Sequence, residues 1–101
     1  MNTTSDQDKP TLLLVDDDEA FRRVLARAME RRGYAVSTAA DVPEALAAAQ
    51  QHPPEYAVVD LKMPGESGLV LIERLIELDP NTRVVMLTGY ASIATAIEAI
   101  K

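Results

Sequence analysis

Thr11-Leu-Leu-Leu-Val-Asp-Asp-Asp-Glu19 (TLLLVDDDE) is the most informative stretch of the chain. Five residues without a charge end abruptly in four acids. A short apolar run of this kind fits a strand buried on both faces, as in a parallel sheet. The polar residues after it mark the carboxyl end of that strand, where open α/β sheets bind ligands.

Working outward, a helical pattern follows. Phe21, Val24, Leu25, Ala28 and Met29 recur at helical spacing, and Gly33 stops the run. Tyr34–Thr38 reads as a second strand. Asp41 is a good N-cap, and Pro43 suits the first turn of a helix to about Gln51. Tyr56–Val59 reads as a third strand ending at Asp60. A helix is predicted from about Ser67 to Leu78, with Leu69, Ile72, Leu75 and Ile76 on one face. Arg83–Leu87 reads as a fourth strand ending at Thr88-Gly89, and Ser92 caps a last helical pattern with Ile93, Ala96, Ile97 and Ile100. Strand and helix alternate four times, which argues for an α/β fold with a parallel sheet covered on both faces. Residues 1–10, polar and without periodicity, read as a mobile leader. Residues 11–101 read as one domain, as a length of 101 residues allows.

Composition narrows the function. There is no cysteine, so thiol catalysis, cysteine zinc sites and disulfides are excluded. The formal charge of −6 makes direct contact with nucleic acid by this segment a poor expectation. No apolar run approaches the ~18 residues of a membrane span, and no signal-peptide pattern opens the chain, so a cytoplasmic, membrane-free protein is expected. Neither glycine-rich phosphate loop is present.

The chemistry gathers at the strand ends. Asp16, Asp17 and Asp18 follow the first strand, Asp60 the third and Thr88 the fourth. If the strands are parallel neighbours, these side chains converge. Gathered carboxylates repel one another, and a hard cation such as Mg²⁺ relieves this while bridging to phosphate. A carboxylate beside it can act as a nucleophile and form an acyl phosphate. Thr88 and the Gly89 amide could then hold a phosphoryl group. Acids after a strand also cap helices, and Asp18 and Glu19 are read that way. A cap leaves Asp16 or Asp17 without a reason. Asp60 lies seven residues ahead of its predicted helix, too far to cap it. His52, the single histidine, reads as a solvated loop residue. Five of the ten basic residues lie on the first helix, with Arg23, Arg27 and Arg31 in one stripe. On spacing alone the stripe is a solvated face; the sharper reading is a docking surface for an acidic partner.

Taken together, TLLLVDDDE, VVDLKMPGESGL around Asp60 and VVMLTGYA at the fourth strand make Pro10–Lys101 resemble a receiver domain of bacterial two-component response regulators. TGYASIATAIEAIK is similar to redox-responding transcriptional regulators of the RegA/PrrA type. The resemblance implies a doubly wound, flavodoxin-like fold and a signalling switch rather than an enzyme with a separate substrate. It implies that Asp60 is the phosphoacceptor. Asp16, Asp17, Asp60 and the backbone carbonyl of Lys62 would hold Mg²⁺. Thr88 would be the hydroxyl that moves to the phosphoryl group. Lys62, Gly89 and Tyr90 would form the rim of the site, with Tyr90 hindering attacking water. The first helix would dock a sensor histidine kinase through Arg22, Arg23 and Arg27. The family's fifth strand, its lysine, its fifth helix and any DNA-binding domain would lie beyond Lys101. That leaves the sheet face under the first helix partly uncovered, with association of two copies through it or through the last helix as an expectation.

Two alternatives are open at this point. A phosphohydrolase of the haloacid-dehalogenase type would use Asp16 and Asp18 as its acid-x-acid pair, but Ala20 stands where that family has Thr or Val, and Asp60 has no role. A receiver-like interaction module would not be phosphorylated at all.

Overall fold

A computed structural model describes residues 9–61 and 68–87 of the chain. The elements run β1 (Thr11–Val15), α1 (Glu19–Arg31), β2 (Ala35–Ala39), α2 (Val42–Gln51), β3 (Tyr56–Asp60), α3 (Gly68–Leu78) and β4 (Arg83–Leu87). All described strand pairs are parallel, in the order β2-β1-β3-β4. The chain moves from β1 to β2 on one side, then crosses back to β3 on the other. The point where winding reverses lies between β1 and β3.

Alternation along the central strands builds two cores. Leu12, Leu14 and Val58 face α1 and pack with Leu25, Met29 and Leu87. Leu13, Val15, Ala57 and Val59 face α2 and α3 and pack with Ala45, Ala49, Leu71 and Leu75. A period of two sends neighbouring side chains to opposite faces, so a continuous apolar strand supplies both cores at once. Helices therefore lie on both faces, as the doubly wound reading requires.

Local signals set the helix ends. Asp18 caps α1, its carboxylate accepting the Phe21 amide at 3.1 Å. At the other end the Gly33 amide donates to Glu30 and the Tyr34 amide to Met29, with Gly33 at φ +98°. This is a Schellman closure, which needs the left-handed conformation glycine adopts without strain. Asp41 caps α2 by accepting the Glu44 amide at 2.9 Å, and Glu44 reaches back to the Ala40 amide at 3.0 Å.

Three expectations are corrected. β2 is displaced by one residue, to Ala35–Ala39. Val24 is 52% exposed, because α1 seats on the sheet through Leu25 and Met29, leaving Val24 on the flank. The inner face of α3 is Gly68, Leu71 and Leu75, while Leu69 and Ile76 are exposed. Five consecutive residues without charge (GLVLI) leave the helix phase open in sequence. Its rotation is fixed by contact: a Cβ at Gly68 would stand 2.5 Å from the Asp60 carbonyl oxygen. No helix among the described residues is long and apolar enough to cross a membrane.

Candidate functional site

β1 and β3 are the two central strands, paired Val15 to Val59. The residues that follow this pair, Asp16 and Asp60, therefore emerge side by side at the point where winding reverses. Both are buried, at 5% and 8% exposure. Asp17 is exposed beside them. One carboxylate oxygen from each of the three lies within 4.8 Å of the others. The predicted convergence of Asp16, Asp17 and Asp60 is thus present in the geometry.

The turn that holds Asp16 is well bonded. Its amide continues the sheet by donating to the Ala39 carbonyl at 3.1 Å. Its carboxylate accepts the Asp18 amide at 2.8 Å. Its carbonyl accepts the Arg22 guanidinium at 2.7 Å. Asp18 points away from the cluster to cap α1, so the third acid of the run is structural here.

Asp16 is held above the ordinary carboxylate value of 3.8. Burial is the largest cause. The Asp18 amide pulls the other way by favouring the ionised form, and the charges of Asp60, Asp17 and Asp18 add to the rise. Three hard oxygen donors, two of them buried and one of these destabilised as an anion, suit a small divalent cation. They do not suit a soft metal, which prefers sulfur or imidazole.

The approach of α3 to Asp60 depends on Gly68. Besides the Asp60 oxygen, a Cβ there would meet the Leu61 Cα at 3.0 Å and a Val59 methyl at 3.1 Å. Sequence reasoning left Gly68 as one residue of VVDLKMPGESGL at the start of the predicted helix, whereas it sets how closely α3 backs β3.

The other expected residues fall in three places. Thr88, Gly89, Tyr90 and Lys62 lie outside the described residues. Arg23 and Arg27 are exposed on α1, Arg23 in an ion pair with Glu19 at 3.1 Å. Arg22 is only partly exposed and turned onto Asp16, a contact that helical spacing does not reveal. His52 sits at the C-terminal cap of α2. It borders a separate hollow of about 460 Å³, with Tyr34 and Ser37, at the far end of β1 and β2.

A doubly wound parallel sheet with an aspartate triad at the reversal point defines a class, and comparison identifies it. Residues 12–101 match the response regulator receiver domain family, and the chain belongs to that family. It is 54% identical over 91 residues, 90% of its length, to the photosynthetic apparatus regulatory protein RegA of Cereibacter sphaeroides, and covers 50% of that protein. It is 52% identical over 91 residues, again 90% of its length, to the acid tolerance regulatory protein ActR of Rhizobium meliloti, covering 47% of it. The chain thus spans about half the length of these relatives. Among solved structures it resembles a response regulator protein from Burkholderia pseudomallei, crystallised with a phosphorylated aspartic acid, a calcium ion and citrate. The TM-score is 0.76 at 48% identity, over 90% of this chain and 54% of that one.

Proposed function

We propose that this chain is a phosphorylation-dependent switch in which Asp60 accepts a phosphoryl group from the phosphohistidine of a sensor kinase. The observation that carries the reading is the Asp16–Asp17–Asp60 arrangement, with Asp60 at the end of a central strand. A phosphorylated aspartate in the Burkholderia relative supports it. An Asp60 oxygen attacks phosphorus. The bond to phosphorus forms as the phosphoramidate N–P bond breaks, and its electron pair returns to the imidazole.

Asp16, Asp17 and Asp60, with the Lys62 carbonyl, are the residues to hold Mg²⁺. When bound, Mg²⁺ offsets the negative charge of the carboxylates and the incoming phosphoryl oxygens. Burial of Asp16 and Asp60 keeps water away from the acyl phosphate. Thr88 then donates its hydroxyl to the new phosphoryl oxygens, and Tyr90 shields the group from water. The added charge biases a two-state element that a transcriptional output region reads. Arg23 and Arg27 on α1 contact the kinase. The chain modifies itself and turns over no separate substrate.

The test is intact-mass spectrometry after incubation with Mg²⁺ and acetyl phosphate. The expected result is a gain of one phosphoryl group, lost in Asp60→Ala and after removal of Mg²⁺ by a chelator. A gain that persists in Asp60→Ala, or no gain in the parent chain, overturns the assignment. The phosphohydrolase alternative is disfavoured by Asp18, whose carboxylate caps α1 and so does not complete an acid pair with Asp16.

A further inference from the structure

We infer that Arg22 is a positioning residue for the aspartate cluster and not one of the kinase-docking residues, the role that the family resemblance implies for it. The contact is direct. Arg22 lies in the second turn of α1, and its guanidinium reaches back six residues to donate to the Asp16 carbonyl at 2.7 Å. That carbonyl lies one residue beyond the last residue of β1, and among the described hydrogen bonds the sheet takes up the Asp16 amide but not its carbonyl. A buried residue's carbonyl needs a donor, and a charged donor at this distance makes a strong one.

The contact closes a small circuit. Asp16 is fixed at its amide by Ala39, at its carbonyl by Arg22 and at its carboxylate by the Asp18 amide. Asp18 is fixed in turn as the cap of α1, accepting Phe21 through its side chain and Arg22 through its carbonyl at 2.9 Å. Arg22 thus grips the turn twice, by main chain at Asp18 and by side chain at Asp16. The turn between those grips carries Asp17. Arg22 fixes the orientation of the Asp16–Asp17 peptide and so the directions from which both carboxylates approach Asp60. Arg23 makes no such contact; it pairs with Glu19 in solvent.

The sign of the effect separates positioning from charge. A cation at the edge of an acidic cluster opposes binding of another cation. Removing Arg22 should therefore tighten divalent-cation binding if its charge were what matters, and weaken it if the turn depends on it. Groups that orient metal ligands change affinity by ~10–100-fold when removed.

This inference rests on the proposed cation site, so the experiment includes a readout that needs no metal. Mn²⁺ binding is measured by electron paramagnetic resonance for the parent chain, Arg22→Ala, Arg22→Lys and Arg74→Ala, an exposed arginine of α3. Hydrogen exchange of the Asp18 amide is measured by NMR on the metal-free proteins, with circular dichroism to establish that each folds. Arg22→Ala should bind Mn²⁺ at least ~10-fold more weakly and exchange the Asp18 amide faster. Arg22→Lys, with the charge kept and the fork lost, should fall between. Arg74→Ala should match the parent. Equal or tighter Mn²⁺ binding by Arg22→Ala overturns the inference, as does an unchanged Asp18 exchange rate. A parent chain that binds no Mn²⁺, with Asp18 exchange accelerated in Arg22→Ala, overturns the cation reading and leaves the positioning role standing.

Discussion

The two ends of the sheet are built on opposite terms. At the amino ends of the strands, neutral groups tie each loop to the next strand. The Thr82 hydroxyl donates to the Pro54 carbonyl at 2.7 Å, the Glu55 amide to the Thr11 hydroxyl at 2.9 Å, and the Ala35 amide to the Pro10 carbonyl at 2.9 Å. Tyr34 and Tyr56 meet edge to face at 5.4 Å, and the Arg83 guanidinium lies over the Tyr56 ring at 5.9 Å. At the carboxyl ends, three carboxylates are drawn within 4.8 Å of one another. One end is arranged for stability. The other holds like charges together against their repulsion, which the chain sustains through hydrogen bonds to the turn and close backing by α3.

The largest way to break this contrast is Gly68→Ala. The new methyl would meet backbone at Asp60 and Leu61, which cannot swing aside as a side chain can. Overpacking of this kind costs ~1–3 kcal/mol, and the upper end is expected here. Urea unfolding should show that loss, and phosphorylation of Asp60 should slow as β3 and α3 are pushed apart. Full stability in Gly68→Ala would mean that α3 is not seated as described.

At the opposite end, Thr82→Val keeps the shape and removes the donor to Pro54. A buried carbonyl without its partner costs ~1–3 kcal/mol. The expected loss is in the lower half of that range. Phosphorylation of the folded fraction should be unchanged, since nothing at the carboxyl ends is touched.

Asp16→Asn should act in the other direction. An acid held above its ordinary value opposes folding while it is ionised. That opposition is complete at neutral pH, fades as pH falls through the raised value, and is gone below the ordinary 3.8. Asparagine keeps an oxygen for the Asp18 amide and removes the charge. Without metal at neutral pH, the variant should be more stable than the parent, with a higher Tm. The advantage should shrink as pH falls through the raised value toward 3.8 and be gone below it. Saturating Mg²⁺ should reverse the order, because a ligand at ~100 times its Kd adds ~2.7 kcal/mol to the form that binds it. Thermal melts across pH, with and without Mg²⁺, read both effects.

How much of this was legible in sequence follows from what each signal physically constrains. β1 and β4 are read at their observed bounds because apolar runs stop at polar residues there. Asp16, Asp17 and Asp60 are legible because strand ends converge in any parallel sheet. The phase of α3 is not, because GLVLI is apolar around the whole helix and only the contact of Gly68 with Asp60 selects a face. Nor is Arg22. Its long stem reaches back past its own helix start, and one arginine among five on the first helix reads as part of a docking surface. Thr88, Lys62, Gly89 and Tyr90 lie outside the described residues, and their roles stand on the family's pattern.

The smallest expected effect tests the division among the arginines of α1. Arg23 and Glu19 form an i, i+4 pair in which both side chains are 69% exposed. Such pairs contribute ~0.3–0.5 kcal/mol, because water screens the charges and two long side chains lose freedom in meeting. Arg23→Ala should therefore leave stability within ~0.5 kcal/mol of the parent and leave phosphorylation by acetyl phosphate unchanged. If Arg23 contacts the kinase, phosphotransfer from the phosphorylated kinase should fall, and should fall further in Arg23→Ala with Arg27→Ala. Arg22→Ala differs in kind, since it should slow phosphorylation by acetyl phosphate as well. Two adjacent arginines would then separate into one that serves the partner and one that serves the turn. Identical profiles for the two single variants with both donors would dissolve that separation and return Arg22 to the docking residues.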